Sequence, residues 1–254
     1  MIKIRNLSKR FKTLQVLNGL SVDIIDGETL VILGPSGGGK SVLLKHIIGI
    51  TKPDEGSVEI NGINITDLSG PELLRAIKRM GMLFQGAALF DSMTIAENTE
   101  FYLTEHNDPE NGKKISKSEI KDRVDEALKM VRLDGTQDKM PSELSGGMKK
   151  RAALARLIVY RPQILLYDEP TTGLDPITAM QINELIVETQ EKLKATSIVV
   201  THDVTSALHV GDRLALLRNG KIDHIGEPKA FIKIEDPIID FLRRTVSQDP
   251  RNFR

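Results

Sequence analysis

Cysteine is absent from this chain of 254 residues. That removes disulfides and thiolate chemistry, and it fits a reducing compartment. Excess charge of either sign is missing too, since 35 basic residues face 35 acidic ones. Nothing in that balance argues for nucleic acid or an anionic membrane surface as a partner. Long apolar runs are also lacking, and none approaches the roughly 20 residues needed to span a bilayer. The opening Met1-Ile2-Lys3-Ile4-Arg5 has no apolar core of the kind a secretory leader carries, so none is expected. Any role at a membrane is therefore expected to come through a partner. No internal repeat is visible. The length allows one large α/β domain or two small ones, with a substantial core.

What the chain does have is a clear alternation of short elements. Strand-like runs open it at residues 2–7, 16–25 and 29–33, with a turn at Asp26-Gly27. Residues 57–60 and 63–65, split by Asn61-Gly62, read as a hairpin. A short strand follows at 80–84. Residues 94–103 and 117–133 read as helices joined by a polar link, 104–114, expected to be a mobile surface loop. Helix is expected again at 147–160, then strand and helix alternate at 164–167, 176–193, 197–200 and 204–210. That rhythm predicts α/β architecture with a mostly parallel sheet. A closing hairpin at 214–217 and 221–225 turns at Asn219-Gly220. A last amphipathic helix is expected at 237–244, through Ile238, Ile239, Phe241 and Leu242, before a polar ending at 247–254 that frays unless held. The division expected is a core of residues 1–226 with a helical insertion at about 94–160, then an extension and tail at 227–254.

Between the run 30–33 and a helix carrying Val42, Leu43, Leu44, Ile47 and Ile48 lies Gly34-Pro35-Ser36-Gly37-Gly38-Gly39-Lys40-Ser41. This is the full G-x-x-x-x-G-K-[ST] spacing of a phosphate loop, in strand–loop–helix context. Glycines there let backbone N–H groups wrap phosphate oxygens, aided by the positive end of the following helix. Lys40 is expected to reach the β- and γ-phosphates, and the Ser41 hydroxyl to bind Mg²⁺. A Gly-rich turn with an incidental lysine is the alternative.

Asp168 closes an apolar run at the sheet edge where ligands of α/β folds bind, which suits a Mg²⁺ ligand. Glu169, one residue on, is a candidate to polarise the attacking water. Acids at strand ends also serve as helix caps, and the phosphate loop upstream favours the metal and water roles. His202 is either structural or a hydrogen-bond partner of the γ-phosphate or the water. Gln85 is either a plain exposed residue or a metal and water ligand. Phe11 either stacks on a base or belongs to the core.

A second Gly-rich turn, Leu144-Ser145-Gly146-Gly147-Met148, opens a second helix. Ser145 can cap that helix, and the glycines expose its first N–H groups. The phosphate loop already supplies a helix terminus for a local nucleotide. A head-to-tail pair of subunits would set this second turn on the γ-phosphate of the opposite site.

In sequence order, the phosphate loop, Gln85, the Ser145 turn, residues 164–169, Gly173-Leu174-Asp175 and His202 resemble the ATPase subunit of an ABC transporter, over about residues 2–225. The resemblance implies a P-loop ATPase core with an N-terminal antiparallel β subdomain and an inserted helical subdomain. It implies MgATP sandwiched in a homodimer, with Phe11 on adenine and Gln85 sensing Mg²⁺ and the membrane partner. The backbone N–H of Val42 and the turn Ser145, Gly146 and Gly147 would contact nucleotide, and Asp175 would cross the dimer interface. Permease subunits are implied, with the chain cytoplasmic and peripheral on the inner membrane. Family members commonly have Gln where Met148 stands and often Thr where Val42 stands. Those departures, with residues 41–46, 82–90 and 148–155, resemble one branch, the ATPases of MCE-type, Mla-like phospholipid transporters. That branch implies an MCE-domain protein and a small accessory protein as partners. Residues 86–93, rich in apolar side chains, would line a groove for a partner's cytoplasmic helix. Two other classes share a phosphate loop. A soluble ABC-type ATPase on DNA or ribosomes usually has two cassettes or long coiled coils, and this chain has neither, nor a basic patch. A small-molecule kinase would have no use for the Ser145 turn.

Overall fold

A computed structural model describes residues 1–247. The first elements are β1 (Ile2–Phe11), β2 (Leu14–Ile24), β3 (Thr29–Leu33), α1 (Lys40–Ile47), β4 (Glu55–Ile60), β5 (Ile63–Asn64) and α2 (Gly70–Ile77). Then come β6 (Met80–Leu83), α3 (Ile95–Glu105), α4 (Lys117–Met130), α5 (Gly146–Ile158), β7 (Ile164–Asp168) and α6 (Pro176–Leu193). The last are β8 (Thr196–Thr201), α7 (Val204–Val210), β9 (Arg213–Arg218), β10 (Lys221–Gly226), α8 (Pro228–Phe231) and α9 (Pro237–Ser247). The chain divides into two compact units, one made of Met1–Ile77 and the segment from Thr196 onward, the other of Lys78–Ala195.

In the first unit an antiparallel sheet has the order β2-β1-β4-β5. Ile2 lies opposite Ile24 and Ile60, and Ile4 opposite Val22 and Val58. All six are buried, because a period of two sends alternate side chains to one face. A second group of strands is centred on β3, flanked in parallel by β8 and β9, with β10 antiparallel to β9. Every residue of β3 and β8 is buried, which is why their central apolar residues, 30–33 and 198–200, run on without alternation. Helix α7 covers β3 and β8, and α9 lies against α7, with Ile239 buried. The side chains of Phe241 and Leu242, and residues 248–254 of the expected polar ending, lie outside the described residues.

In the second unit β6 and β7 pair in parallel, from Met80 opposite Ile164 to Leu83 opposite Tyr167. Helix α5 packs on β6, α3, α4 and α6. Its approach to β6 is close: a Cβ on Gly81 would overlap the Leu157 and Tyr160 side chains. Helix α3 starts at a capping box, with the Glu97 N–H donating to Thr94 Oγ1 (3.2 Å) and the Thr94 N–H to Glu97 Oε2 (2.7 Å).

Two segments add to the expectation. The link 104–114 lies at the surface, as expected, but is folded as a turn around Asp108, whose side chain is 3% exposed. The Asp108 carboxylate accepts from Arg123 Nη2 (2.5 Å) and the Glu110 N–H (2.7 Å), and its carbonyl accepts from the Gly112 N–H (2.8 Å). A short carboxylate can satisfy local N–H groups and an arginine at once, which organises a polar stretch without apolar content. The second is α2, between the expected hairpin and β6, a segment to which the sequence assigns no element. None of its residues is fully buried, and its apolar spacing, Leu73, Ala76 and Ile77, spans too few residues to stand out as a helical pattern.

Candidate functional site

The residues singled out fall in both units, and each unit gathers its own set at the carboxyl ends of parallel strands. In the first unit Leu33 ends β3 opposite Thr201, which ends β8. The phosphate loop leaves from one strand and His202 from its neighbour, at the same edge. The loop's fit to phosphate can be read from its backbone. Gly39 caps α1 in a left-handed conformation (φ 97°) and has no side chain to offer, and no acid stands in the first turn. The helix start therefore carries no anionic side chain of its own, as an anion site requires. Gly34 is forced by packing, since a Cβ there would stand 2.6 Å from the Leu217 carbonyl oxygen.

Lys40 is buried and bends back across the loop, its Nζ donating to the carbonyls of Gly34 (2.9 Å) and Pro35 (3.1 Å). Pro35, Ser36 and Gly37 are exposed, while Gly38, Ser41 and Val42 are half-buried. His202 is exposed. Phe11 ends β1 and is 46% exposed, so it is not a core residue. Lys9 Nζ lies 5.6 Å from the centre of its ring and is itself bonded to Asp54 (2.8 Å).

In the second unit Phe84 and Gln85 follow β6, while Asp168 and Glu169 end β7, again at one edge. Asp168 and Glu169 are both buried. Glu169 has φ 48°, an unusual conformation for a residue with a side chain, and it turns the chain away from the strand direction. Its Oε2 accepts from Thr172 Oγ1 (3.2 Å). Gln85 is exposed. Ser145 is the N-cap of α5, its Oγ accepting from the Met148 N–H (3.3 Å), with Ser145 and Gly146 exposed and Gly147 buried against α6. Asp175 caps α6, accepting from the N–H groups of Ile177 (3.1 Å) and Thr178 (3.0 Å). Hydrogen bonds from Thr178, side chain and backbone, hold the Asp175 carboxyl below the ordinary carboxylate range.

Two residues of α5 join this set although nothing in the sequence marked them. Lys150 is buried, and its Nζ donates to the carbonyls of Gln85 (2.5 Å) and Glu169 (3.5 Å). Burial pushes its ammonium down, while the charges of Asp168 and Glu169 act to raise it. Arg156 forks onto the carbonyls of Ala88 (2.7 Å) and Ala87 (3.1 Å), both residues at positive φ (52° and 61°), and lies 5.5 Å from the Phe90 ring. Arg156 stands among apolar residues of the helix and Lys150 within the basic run Lys149-Lys150-Arg151, and neither pattern singles out its residue.

The sequence pattern of the ABC transporter family matches residues 17–172. The chain belongs to the ABC transporter family. This ABC cassette is 40% identical over 238 residues to the probable ribonucleotide transport ATP-binding protein mkl of Mycobacterium leprae, covering 94% of this chain and 67% of that protein. It is 42% identical over 228 residues to the sulfate/thiosulfate import ATP-binding protein CysA of Caulobacter vibrioides, covering 89% of this chain and 65% of the relative. It thus spans about two thirds of the length of these curated relatives. Among solved structures it resembles the dimeric ATP-binding cassette MJ0796 in a post-hydrolysis state bound to ADP and Pi, with TM-score 0.80 and 35% identity over 90% of this chain and 99% of the other. It also resembles cbiO1 of Clostridium perfringens, part of the cbiONQ transporter complex, with TM-score 0.82 and 31% identity over 97% and 96% of the two chains. The expected α/β cassette fold, with its antiparallel sheet and parallel strands, is present. The ABC cassette is an ATP-binding, ATP-hydrolysing one. Among the described residues no helix is long and apolar enough to cross a membrane.

Proposed function

We propose that this ABC cassette drives a membrane transporter by hydrolysing ATP as a homodimer held by permease subunits at the cytoplasmic face of the inner membrane. The observation that carries the reading is the Gly-rich loop over a helix start with no capping side chain. In this reading Lys40 and the loop N–H groups from Gly34 to Val42 hold the phosphates, and Phe11 stacks on adenine. Ser145, Gly146 and Gly147 of one chain grip the nucleotide of the other, and Asp175 stands at their interface.

Asp168, Ser41 and Gln85 offer a carboxylate, a hydroxyl and an amide carbonyl, oxygen ligands of the kind Mg²⁺ takes, and would hold it. Mg²⁺, when bound, would supply positive charge that offsets the charge of the phosphates. Glu169 accepts a proton from the attacking water, and His202 steadies the water or the γ-phosphate by a hydrogen bond. Closing the pair around nucleotide and releasing it after hydrolysis shifts the population between two states of the transporter. The test is phosphate release and nucleotide retention by Glu169→Gln: bound ATP with little turnover is expected, and wild-type turnover would overturn the assignment.

The segment 86–93 is proposed to receive a permease helix. Its support is exposed aromatic surface, with Phe84 at 38%, Phe90 at 41% and Phe101 at 36%, and with Phe90 and Phe101 rings 4.8 Å apart. Reversing charge with Asp91→Lys should loosen co-purification with the permease; unchanged association and coupled ATPase would remove the segment from that role.

The cargo proposed is phospholipid, moved with an MCE-type system. Its support is the run Met82 to Phe90 and the run Met148 to Ala155, which resemble that branch. The relatives are named for ribonucleotide and sulfate transport, so the cargo test must include those solutes. An MCE-domain protein encoded beside the permease, and ATPase of the reconstituted complex raised by phospholipid vesicles, are expected. Stimulation by ribonucleotides or sulfate alone would replace lipid as cargo.

A further inference from the structure

We propose that Lys150 is a positioning residue that links the segment after β6 to the catalytic carboxylate, by bonding the carbonyl of Gln85 and the carbonyl of Glu169 with one buried ammonium. The inference rests on the reading of Glu169 as the residue that activates water. It adds a route by which the position of residue 85 reaches that residue.

The geometry supports the link in three ways. The two carbonyls leave neighbouring parallel strands, and the Lys150 ammonium bonds both. Glu169 sits at φ 48°, a conformation costing roughly 1 kcal/mol or more in a residue with a Cβ, and so its surroundings must hold it. Its carbonyl is held by Lys150 and by the Thr172 N–H (3.3 Å). Lastly, the two contacts differ in length. The bond to Gln85 is tight at 2.5 Å and the one to Glu169 is slack at 3.5 Å. A displacement of residue 85 carries the ammonium with it and tightens or releases the slack contact.

Arg156 supplies an independent handle. It grips the same segment farther along, at Ala87 and Ala88. Loosening the segment through Arg156 should therefore reach Glu169 by way of Lys150.

The test compares steady-state phosphate release, ATP affinity and melting temperature for the full chain and its variants. Lys150→Met keeps the aliphatic stem and removes the donors. It should lower kcat about 10- to 100-fold, as a small misplacement of a catalytic group does, with KM for ATP little changed. Lys150→Arg should recover most of the turnover. Arg156→Gln should change kcat when Lys150 is present and leave it unchanged in Lys150→Met, because the two act in series. If Lys150→Met does not fold, Lys150→Gln, with one short donor arm, is measured for the same split.

Wild-type kcat in the folded variant, additive effects of the two substitutions, or a loss confined to ATP affinity and melting temperature would each overturn the inference. Glu169→Gln separates it from the reading beneath. An inactive Glu169→Gln beside a fully active Lys150→Met sinks the inference alone, and an active Glu169→Gln sinks the reading.

Discussion

The strand ends of the two units do comparable work by different means. At the ends of β3 and β8 the arrangement is made by main chain: a glycine loop, a helix start with no capping side chain, and one lysine bonded within its own loop. At the ends of β6 and β7 it is made by side chains from elsewhere, with Lys150 and Arg156 of α5 reaching back across 65 and 68 or 69 residues. Main-chain geometry of the first kind is set by a local string of residues. Geometry of the second kind exists only when a distant helix is in place, so it can change when that helix or its target moves. The first set is suited to holding a nucleotide and the second to responding to it.

The largest effect expected on this contrast is from Glu169→Gln. Phosphate release should fall about 10²- to 10⁴-fold, the range for removing a general base, while ATP remains bound. A variant that also lost ATP would mean that the second unit's strand end binds as well as acts, and the contrast would blur.

Next come two glycine substitutions, one in each set. In Gly34→Ala the new Cβ meets the Leu217 carbonyl oxygen at 2.6 Å, an atom of a central strand that cannot step aside. A loss of about 1–3 kcal/mol in unfolding free energy is expected. In Gly147→Ala it meets the Thr178 methyl group, which can turn aside only by giving up the Thr178 side-chain bond to Asp175, for about 1 kcal/mol. Denaturant melts that ranked the two in the opposite order would mean that α5 is the more rigidly held of the elements compared.

A smaller, pH-dependent effect belongs to the first unit. His46 on α1 is buried, its Nδ1 bonded to the Val42 carbonyl (2.7 Å), and burial pushes the imidazole below its ordinary value. With the folded value depressed, both states are neutral well above the unfolded value and the group contributes no pH dependence there. As pH falls below the ordinary imidazole range the unfolded chain takes up the proton first, so stability drops until the folded value is passed. His46→Leu should flatten that part of the profile of melting temperature against pH. An unchanged slope would assign it to another group.

The smallest effect is expected at Tyr167, in β7 beside Asp168. Its hydroxyl is fully buried with no hydrogen-bond partner among the described residues, and burial pushes its pKa well up. Tyr167→Phe removes a desolvated polar group at little cost in volume, so melting temperature should stay level or rise by the equivalent of about 1 kcal/mol. A marked loss of stability would mean that the hydroxyl is bonded in solution.

The same contrast decides what could be read from residues alone. The phosphate loop was legible because its eight positions are contiguous and their spacing is dictated by the phosphate group itself. The order of strands and helices was legible from apolar runs such as Thr29–Leu33 and Ile164–Asp168, buried on both faces. Helix α2 escaped because its apolar spacing spans only two turns, and the turn around Asp108 escaped because its organising bond comes from Arg123 in the next helix. Lys150 escaped for the same reason at longer range. No periodicity records that an ammonium will meet two carbonyls, one 65 residues away and one 19. The positive φ of Glu169 is likewise a product of the turn, invisible in a string where any acid would have looked the same.

That backbone angle makes position 169 a place where durability and turnover point in opposite directions. Glycine would adopt φ 48° without steric penalty, and a chain carrying it there should withstand heat or denaturant at least as well as this one. It would also have no carboxylate. Selection for robustness alone would drift toward glycine, so the glutamate stands as a record of selection for something else.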